Sequence, residues 1–167
     1  IDDFGRFAGR EKEAAAKRAQ IEKEYAALTQ DVQKGKGPKV LIIFGSPDSF
    51  NMSTQKSFGG DLAERLGAVN IADEAENVKD SSYIPLSMEF VAKENPDVVM
   101  LITMGGSKEI LEKLRANMRD NAIWHDVNAV KNNRVYQLPP SLFTVNPGTH
   151  TIDAMKIMKE YIYGEGK

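Results

Sequence analysis

Cysteine is absent from the 167 residues, which removes disulfides, Cys-ligated zinc, iron–sulfur clusters and thiol catalysis together. Long apolar runs are also missing. The longest are VLIIF at 40–44 and VVMLI at 98–102, far short of the ~18 residues that a membrane span needs. Charge of one sign is not in excess either: 22 Lys and Arg stand against 24 Asp and Glu, a net of −2. A nucleic-acid partner, which needs a basic face, is therefore not expected. Histidine occurs only as His125 and His150, leaving few bases for proton-transfer chemistry. The chain opens at Ile1 without the leader pattern of a signal peptide and reads as a mature product or an excised piece. What is present, 41% hydrophobic and 28% charged, is an ordinary globular balance for one domain of this length.

The first segment reads as helix. Ala14, Ala15 and Ala16, the many Glu and Lys, and the absence of Gly and Pro between Glu11 and Gln33 predict one long helix over residues 8–32. Its apolar residues Ile21, Tyr25, Leu28 and Val32 step by four, three and four, a narrow stripe that leans on a body rather than sitting inside one. Gly35, Gly37 and Pro38 then stop it, since Gly accepts the cap conformation and Pro cannot continue a helix. The break divides the chain into a helical segment at 1–36 and a body at 37–167.

The body changes period. Residues 39–45 form a β-branched apolar run ending in Gly, which predicts a strand buried on both faces. A polar loop over 46–54 leads to a helix closed by Gly67. Residues 69–72 read as a short strand. Ser87 caps a helix through Ala92, and strand 98–103 follows the break at Asn95 and Pro96. Ser107 caps the next helix, 108–118. A third clear strand, 134–138, ends at Pro139 and Pro140, and a last helix begins near Thr149. Strands alternating with helices predict an α/β fold of three layers, α/β/α, around a mainly parallel sheet. Ligands of such sheets collect in the loops beyond the strands' C-terminal ends, here 46–54, 104–107 and 139–149.

Those loops carry little catalytic machinery. No phosphate-binding glycine loop and no nucleophile elbow occurs, and Asp48 and Asp97 have no evident acid–base partner, so no catalytic residue is assigned. The same loops hold soft and aromatic groups beside small ones. Phe50, Met52, Ser53, Thr54, Tyr83, Met104, Gly105 and Phe143 are the candidate wall of a cleft for a large, apolar ligand, against the plainer reading that they close the top of the core. Met104 stands one residue past a buried strand, and its thioether is also a candidate ligand for a soft metal or haem iron. His125 reads as part of a surface turn and His150 as a helix-entry residue at a cleft rim. Glu89, in the first turn after Ser87, is favoured there by the helix dipole or is held as a rigid acid for a basic partner.

Three blocks resemble a known family. FGGDLAERLGAVN at 58–70, YIPLSMEF at 83–90 with NPDVV at 95–99, and IW at 123–124 with VNAVKNNRVY at 127–136 are similar, in order and spacing, to the C-terminal lobe of ABC-transporter substrate-binding proteins of the ferric-siderophore, haem and cobalamin class. The resemblance spans about residues 39–163 and implies a rigid interlobe helix in 1–36 and an α/β lobe in 37–167. It further implies that the N-terminal lobe is missing here, and a place outside the cytoplasmic membrane, periplasmic or lipoprotein-anchored. The implied partners are the permease, an iron chelate and the missing lobe. There is no intrinsic cofactor; haem, a ferric siderophore or cobalamin is cargo. Carried over by position, Glu89 matches the glutamate that docks on permease arginines. Met104 falls where haem-type members often have His, which leaves Met ligation or another ligand open. Siderophore-type members often have Arg where this chain has Thr149 and His150. The alternatives are a small flavodoxin-like enzyme or nucleotide-binding domain holding a phosphate or flavin at loop 45–54, and self-association of the isolated lobe.

Overall fold

The computed structural model describes residues 1–76, 78, 80–144 and 147–164. It divides into two units, Ile1–Asp31 and Val32–Lys167. In the first, α1 (Asp2–Phe7) and α2 (Glu11–Thr29) form a helical hairpin. The turn between them is made by Gly9, whose φ of +66° suits a residue without Cβ. Gly5 meets Ala14 where the two helices are nearest, and a Cβ on Gly5 would lie 2.3 Å from that of Ala14. The helix predicted from residue 8 thus begins at Glu11, behind a separate short helix. Phe4 and Phe7 of α1 are 82% and 94% exposed.

In the second unit, one six-stranded sheet carries the fold. Its strands are β1 (Lys39–Gly45), β2 (Phe50–Ser53), β3 (Val69–Asn70), β4 (Tyr83–Pro85), β5 (Val98–Thr103) and β6 (Val135–Gln137). They lie in the order β4-β2-β1-β5-β6, with β3 beside the first residues of β1. β1 is parallel to β3 and β5, and β5 to β6, as the alternation of strands and helices predicts. Two strands were not expected. β2 lies inside the stretch read as loop 46–54 and runs antiparallel to β1, pairing Ile43 with Met52 and Gly45 with Phe50. β4, read as loop, pairs antiparallel with β2 through Asn51–Pro85 and Ser53–Tyr83. Both are too short, four and three residues, for a period to stand out. They become strands because β1 leaves the upper half of its edge open for pairing.

Helices cover both faces, giving the three layers. Leu41, Ile43, Met52, Ile84, Val99 and Leu101 point to one side, where they meet Val91 of α4 (Met88–Glu94), Leu111 and Leu114 of α5 (Lys108–Asp120), and the wholly buried Trp124. Ile42 and Ile102 point to the other, towards Gly59 of α3 (Phe58–Arg65). α8 (Thr151–Tyr163) lies beside α3 on that side, and Tyr161 stacks on Tyr136 of β6 at a ring separation of 4.4 Å. Each such side chain taken from water contributes about 1.5–3 kcal/mol, so these two faces supply most of the driving force. The predicted caps Ser87, Ser107 and Gly67 are in place, and Ser57 adds one at α3. Ser57, Ser87 and Ser107 each accept from a backbone N–H of the first helical turn, and Gly67 takes φ +82° after α3. Two short helices, α6 (Asn128–Lys131) and α7 (Pro140–Phe143), flank β6. Positions 145 and 146 of the loop 139–149 lie outside the described residues.

Candidate functional site

The C-terminal ends of the parallel strands β1, β5 and β6 define one edge of the sheet. β5 is its central strand there, and its last residue, Thr103, is extended, so the next residue continues the alternation of faces. Met100 and Ile102 belong to the α3/α8 side, and Met104 is therefore delivered to the rim of that side, where it is 48% exposed. Gly105 and Gly106 follow with φ of +59° and +70°. The first is in open space. A Cβ on the second would come within 2.8 Å of Pro140, so a side chain there would push α7 from the edge.

The same alternation in β1 places Phe44 on the face of Ile42, not of Ile43, and brings it to the rim beside Met104's strand. Its ring lies 5.1 Å from that of Tyr83, in a tilted arrangement. Phe44 is half-buried and Tyr83 is 44% exposed, so the pair offers an aromatic surface to solvent. Partial burial pushes the Tyr83 phenol above its usual pKa, keeping it a neutral hydrogen-bond donor at physiological pH. Asn51, paired with Phe44, shares the face. Its Nδ2 donates to Ser49 Oγ at 3.0 Å, and Ser49 meets Ser46 Oγ at 3.0 Å, lining the strand end with small polar groups.

The structure thus places Tyr83 and Met104, with Gly105 after it, on the α3/α8 side, turns Phe50, which shares the parity of Met52, to the α4/α5 side where it packs half-buried on the core, and takes the other predicted wall residues out of the rim. Met52 is paired with Ile43 and Ile84 and so faces the α4/α5 side, buried in the core. Thr54 is fully buried and fixes a turn, donating from Oγ1 to Ser81 O at 2.6 Å and accepting from Lys56 N. Ser53 is buried, its Oγ without a partner among the described residues. Phe143 is buried against Phe58, with ring centroids 6.0 Å apart. These four are corrected from wall to core or turn, because strand pairing rather than the loop expected at 46–54 sets their direction. Phe44 was missed for the converse reason: a run apolar at every position hides which residue faces which side.

Glu89 stands exposed in the first turn of α4 and makes no ion pair among the described residues. Beside it, a cavity of about 320 Å³ opens on the α4 side, with Met52, Ile84 and Phe90 in its floor and Glu74, Glu76 and Lys93 at its rim. His125 lies in the turn after α5, its ring Nε2 3.0 Å from Arg119 O. His150 is exposed, with Nδ1 3.0 Å from the Asp153 carboxylate. No group of three or more metal-binding side chains of His, Cys, Asp or Glu type occurs among the described residues. No described helix is long and apolar enough to cross a membrane.

The sequence model of a family described as "Periplasmic binding protein" matches residues 1–142. The High-affinity heme uptake system protein IsdE of Staphylococcus aureus (strain MRSA252) is 34% identical over 132 residues, which are 79% of this chain and 44% of that protein. The chain spans about half the length of the curated relatives it matches, 44% and 45% for two of them. Among solved structures, S. aureus IsdE complexed with heme superposes with a TM-score of 0.78 at 29% identity, covering 97% of this chain and 62% of that one. An ABC transporter substrate-binding protein from Listeria monocytogenes EGD-e gives 0.76 at 27% identity, with 97% and 61% covered. The triscatecholate siderophore binding protein FeuA from Bacillus subtilis, 18% identical with a TM-score of 0.71, shares the fold.

Proposed function

This chain belongs to the periplasmic binding protein family, and from that premise we propose that it is the C-terminal lobe of an ABC importer's substrate-binding protein, with haem as its cargo. The lobe's ligand face is the edge of the sheet bearing Met104, Tyr83 and Gly105, joined by Phe44. The helical segment 1–36 is the rigid connector to an N-terminal lobe, and Glu89 presents the loaded protein to the permease. The protein works outside the cytoplasmic membrane, as a periplasmic or lipid-anchored component. Nothing in these relatives favours the flavodoxin-like enzyme.

One observation carries the haem reading: an exposed thioether at the centre of the edge, beside an aromatic pair, in loops that lack cations. Segments 46–54, 104–107 and 139–150 contain no Lys or Arg. A trianionic iron chelate needs charge-assisted donors to offset its desolvation. A flat apolar macrocycle needs aromatic and thioether contact and, on its iron, an axial donor.

The test is a visible-spectrum titration of the chain with haemin, with Met104→Ala alongside. A saturable Soret shift, weakened or displaced in the variant, is the expected result. No shift with haemin, but quenching by a ferric siderophore or a corrinoid, would overturn haem as cargo and retain the transporter. An unchanged titration in the variant would return Met104 to a packing role.

A further inference from the structure

The cavity on the α4 side belongs neither to the packed core nor to the ligand rim. Its volume of about 320 Å³ is at the lower end of the ~300–1,000 Å³ of small-molecule sites. It has room for one or two large side chains and is small for a macrocyclic chelate. It opens on the sheet face opposite to Met104, because Met52 and Ile84 in its floor point to the α4/α5 side. Phe90 completes the floor, which thus offers an adaptable thioether and an aromatic ring to whatever enters.

Charge surrounds this floor. Glu74 and Glu76, which follow β3, and Lys93 of α4 stand exposed at the rim. Glu89 precedes Lys93 by four residues, so the two share one face of α4. Helical neighbours at this spacing often pair. Yet neither makes an ion pair among the described residues, and nor do Glu74 and Glu76. Three carboxylates against one ammonium give this patch a local charge of −2. A second hollow of about 200 Å³, beside Ala92 and Ile123, differs: its acid, Asp126, is already paired with Lys131 at 3.2 Å.

An apolar hollow inside a charged rim has the anatomy of a protein contact, in which a side chain fills the centre and charges at the edge set register. The sign of the rim selects among occupants. A second copy of this chain, docked by two-fold symmetry, would bring the same acids against themselves. An anionic chelate or lipid headgroup meets the same repulsion. A protein segment with an apolar side chain flanked by Arg or Lys satisfies both floor and rim.

We propose that this cavity seats an apolar side chain of the permease, flanked by permease cations that pair with Glu74, Glu76 and Glu89. The proposal rests on the transporter reading above and adds to Glu89 an anchor that a lone surface ion pair lacks. Exposed charges steer association, while a filled apolar pocket slows dissociation.

The experiment follows association and dissociation of the complete two-lobed protein, with and without haemin, on its permease in lipid nanodiscs by surface plasmon resonance. Ala75 lines the cavity, so Ala75→Phe places a ring in it and is expected to speed dissociation about tenfold with little change in association. Glu74→Gln combined with Glu76→Gln is expected to slow association several-fold and to flatten its dependence on salt. Because both glutamates are exposed and unpaired among the described residues, this second variant decides the matter if the filled cavity destabilises the chain. Ile123→Ser, at the second hollow, should leave both rates unchanged; an equal effect there would spread the contact over both flanks of α4 and overturn the cavity as its seat. Unchanged rates in the first two variants, with Glu89→Ala still impairing the complex, overturn the inference and leave the docking role of Glu89 standing. Dimers seen by light scattering that Ala75→Phe disperses, with permease binding intact, would give the cavity to a second copy and also overturn it. Absence of permease binding by the unsubstituted protein in either condition overturns both this inference and the transporter reading.

Discussion

Asp73 sits half-buried after β3, with its Oδ1 accepting from Gln55 N at 2.9 Å. Desolvation pushes its carboxyl above the ordinary carboxylate range, the Gln55 hydrogen bond opposes this, and the nearby Glu64 and Glu74 add to the rise. A raised folded-state pKa means that the protonated form fits the site better. Its contribution is therefore fully present below the ordinary carboxylate pKa and is lost as pH rises through the raised value. Asp73→Asn, which keeps the acceptor for Gln55 N, should stabilise the chain at neutral pH by under about 1 kcal/mol, since solvent screens a half-exposed charge. The gain should vanish in acid, and melting curves at pH 3 and pH 7 decide the matter; a gain of equal size at both would remove desolvation as its cause. Met104 and Met52 are the companion lesson at this scale. Both stand near the strand ends in the sequence, yet one is exposed and the other buried, because each takes its direction from the strand beneath it.

At the scale of elements, α3 shows how tightly a helix entry is built. Gly59 and Gly60 are adjacent in the motif at 58–70, yet their surroundings differ. A Cβ on Gly59 would touch Ile102 Cδ1 at 3.4 Å, an ordinary contact, while one on Gly60 would lie 1.9 Å from the backbone oxygen of Thr54. Gly60→Ala should cost about 3 kcal/mol, the upper end of overpacking penalties, and Gly59→Ala much less. Urea unfolding of the two variants measures the contrast; equal costs would mean that the turn at Thr54 yields. This turn exists because β2 folds back on β1. The caps and long strands were legible because Ser, Gly and Pro act locally and the apolar runs at 39–45 and 98–103 are continuous. β2 and β4 were not legible, since FNMS and YIP are only four and three residues long, too short for a period to stand out, and gain their hydrogen bonds from strand partners rather than from their own sequence.

For the molecule as a whole, the two faces of the sheet divide two tasks in the proposed reading. The α3/α8 side carries the ligand rim, and Glu89 lies on α4, on the other side. An exposed acid on a capped helix suits steering and register with a cationic partner more than it suits raw affinity. In the complete two-lobed protein, Glu89→Ala should reduce permease-dependent uptake several-fold while haemin affinity stays within about twofold. A large loss of affinity instead would remove Glu89 from docking and return it to its helix-dipole role.

The sequence by itself determined the fold class, the order of long strands and capped helices, and a resemblance that the family match bears out. These follow from local signals: cap residues, glycine at left-handed turns, and apolar periodicity within one element. Only the tertiary structure decided which side chains share a face and a rim. It took Met52, Ser53, Thr54 and Phe143 from the candidate wall, turned Phe50 to the other face, and added Phe44. The physical reason is that a side chain's direction depends on strand register and helix length measured against neighbours far along the chain. A one-residue difference in register exchanges one face for the other.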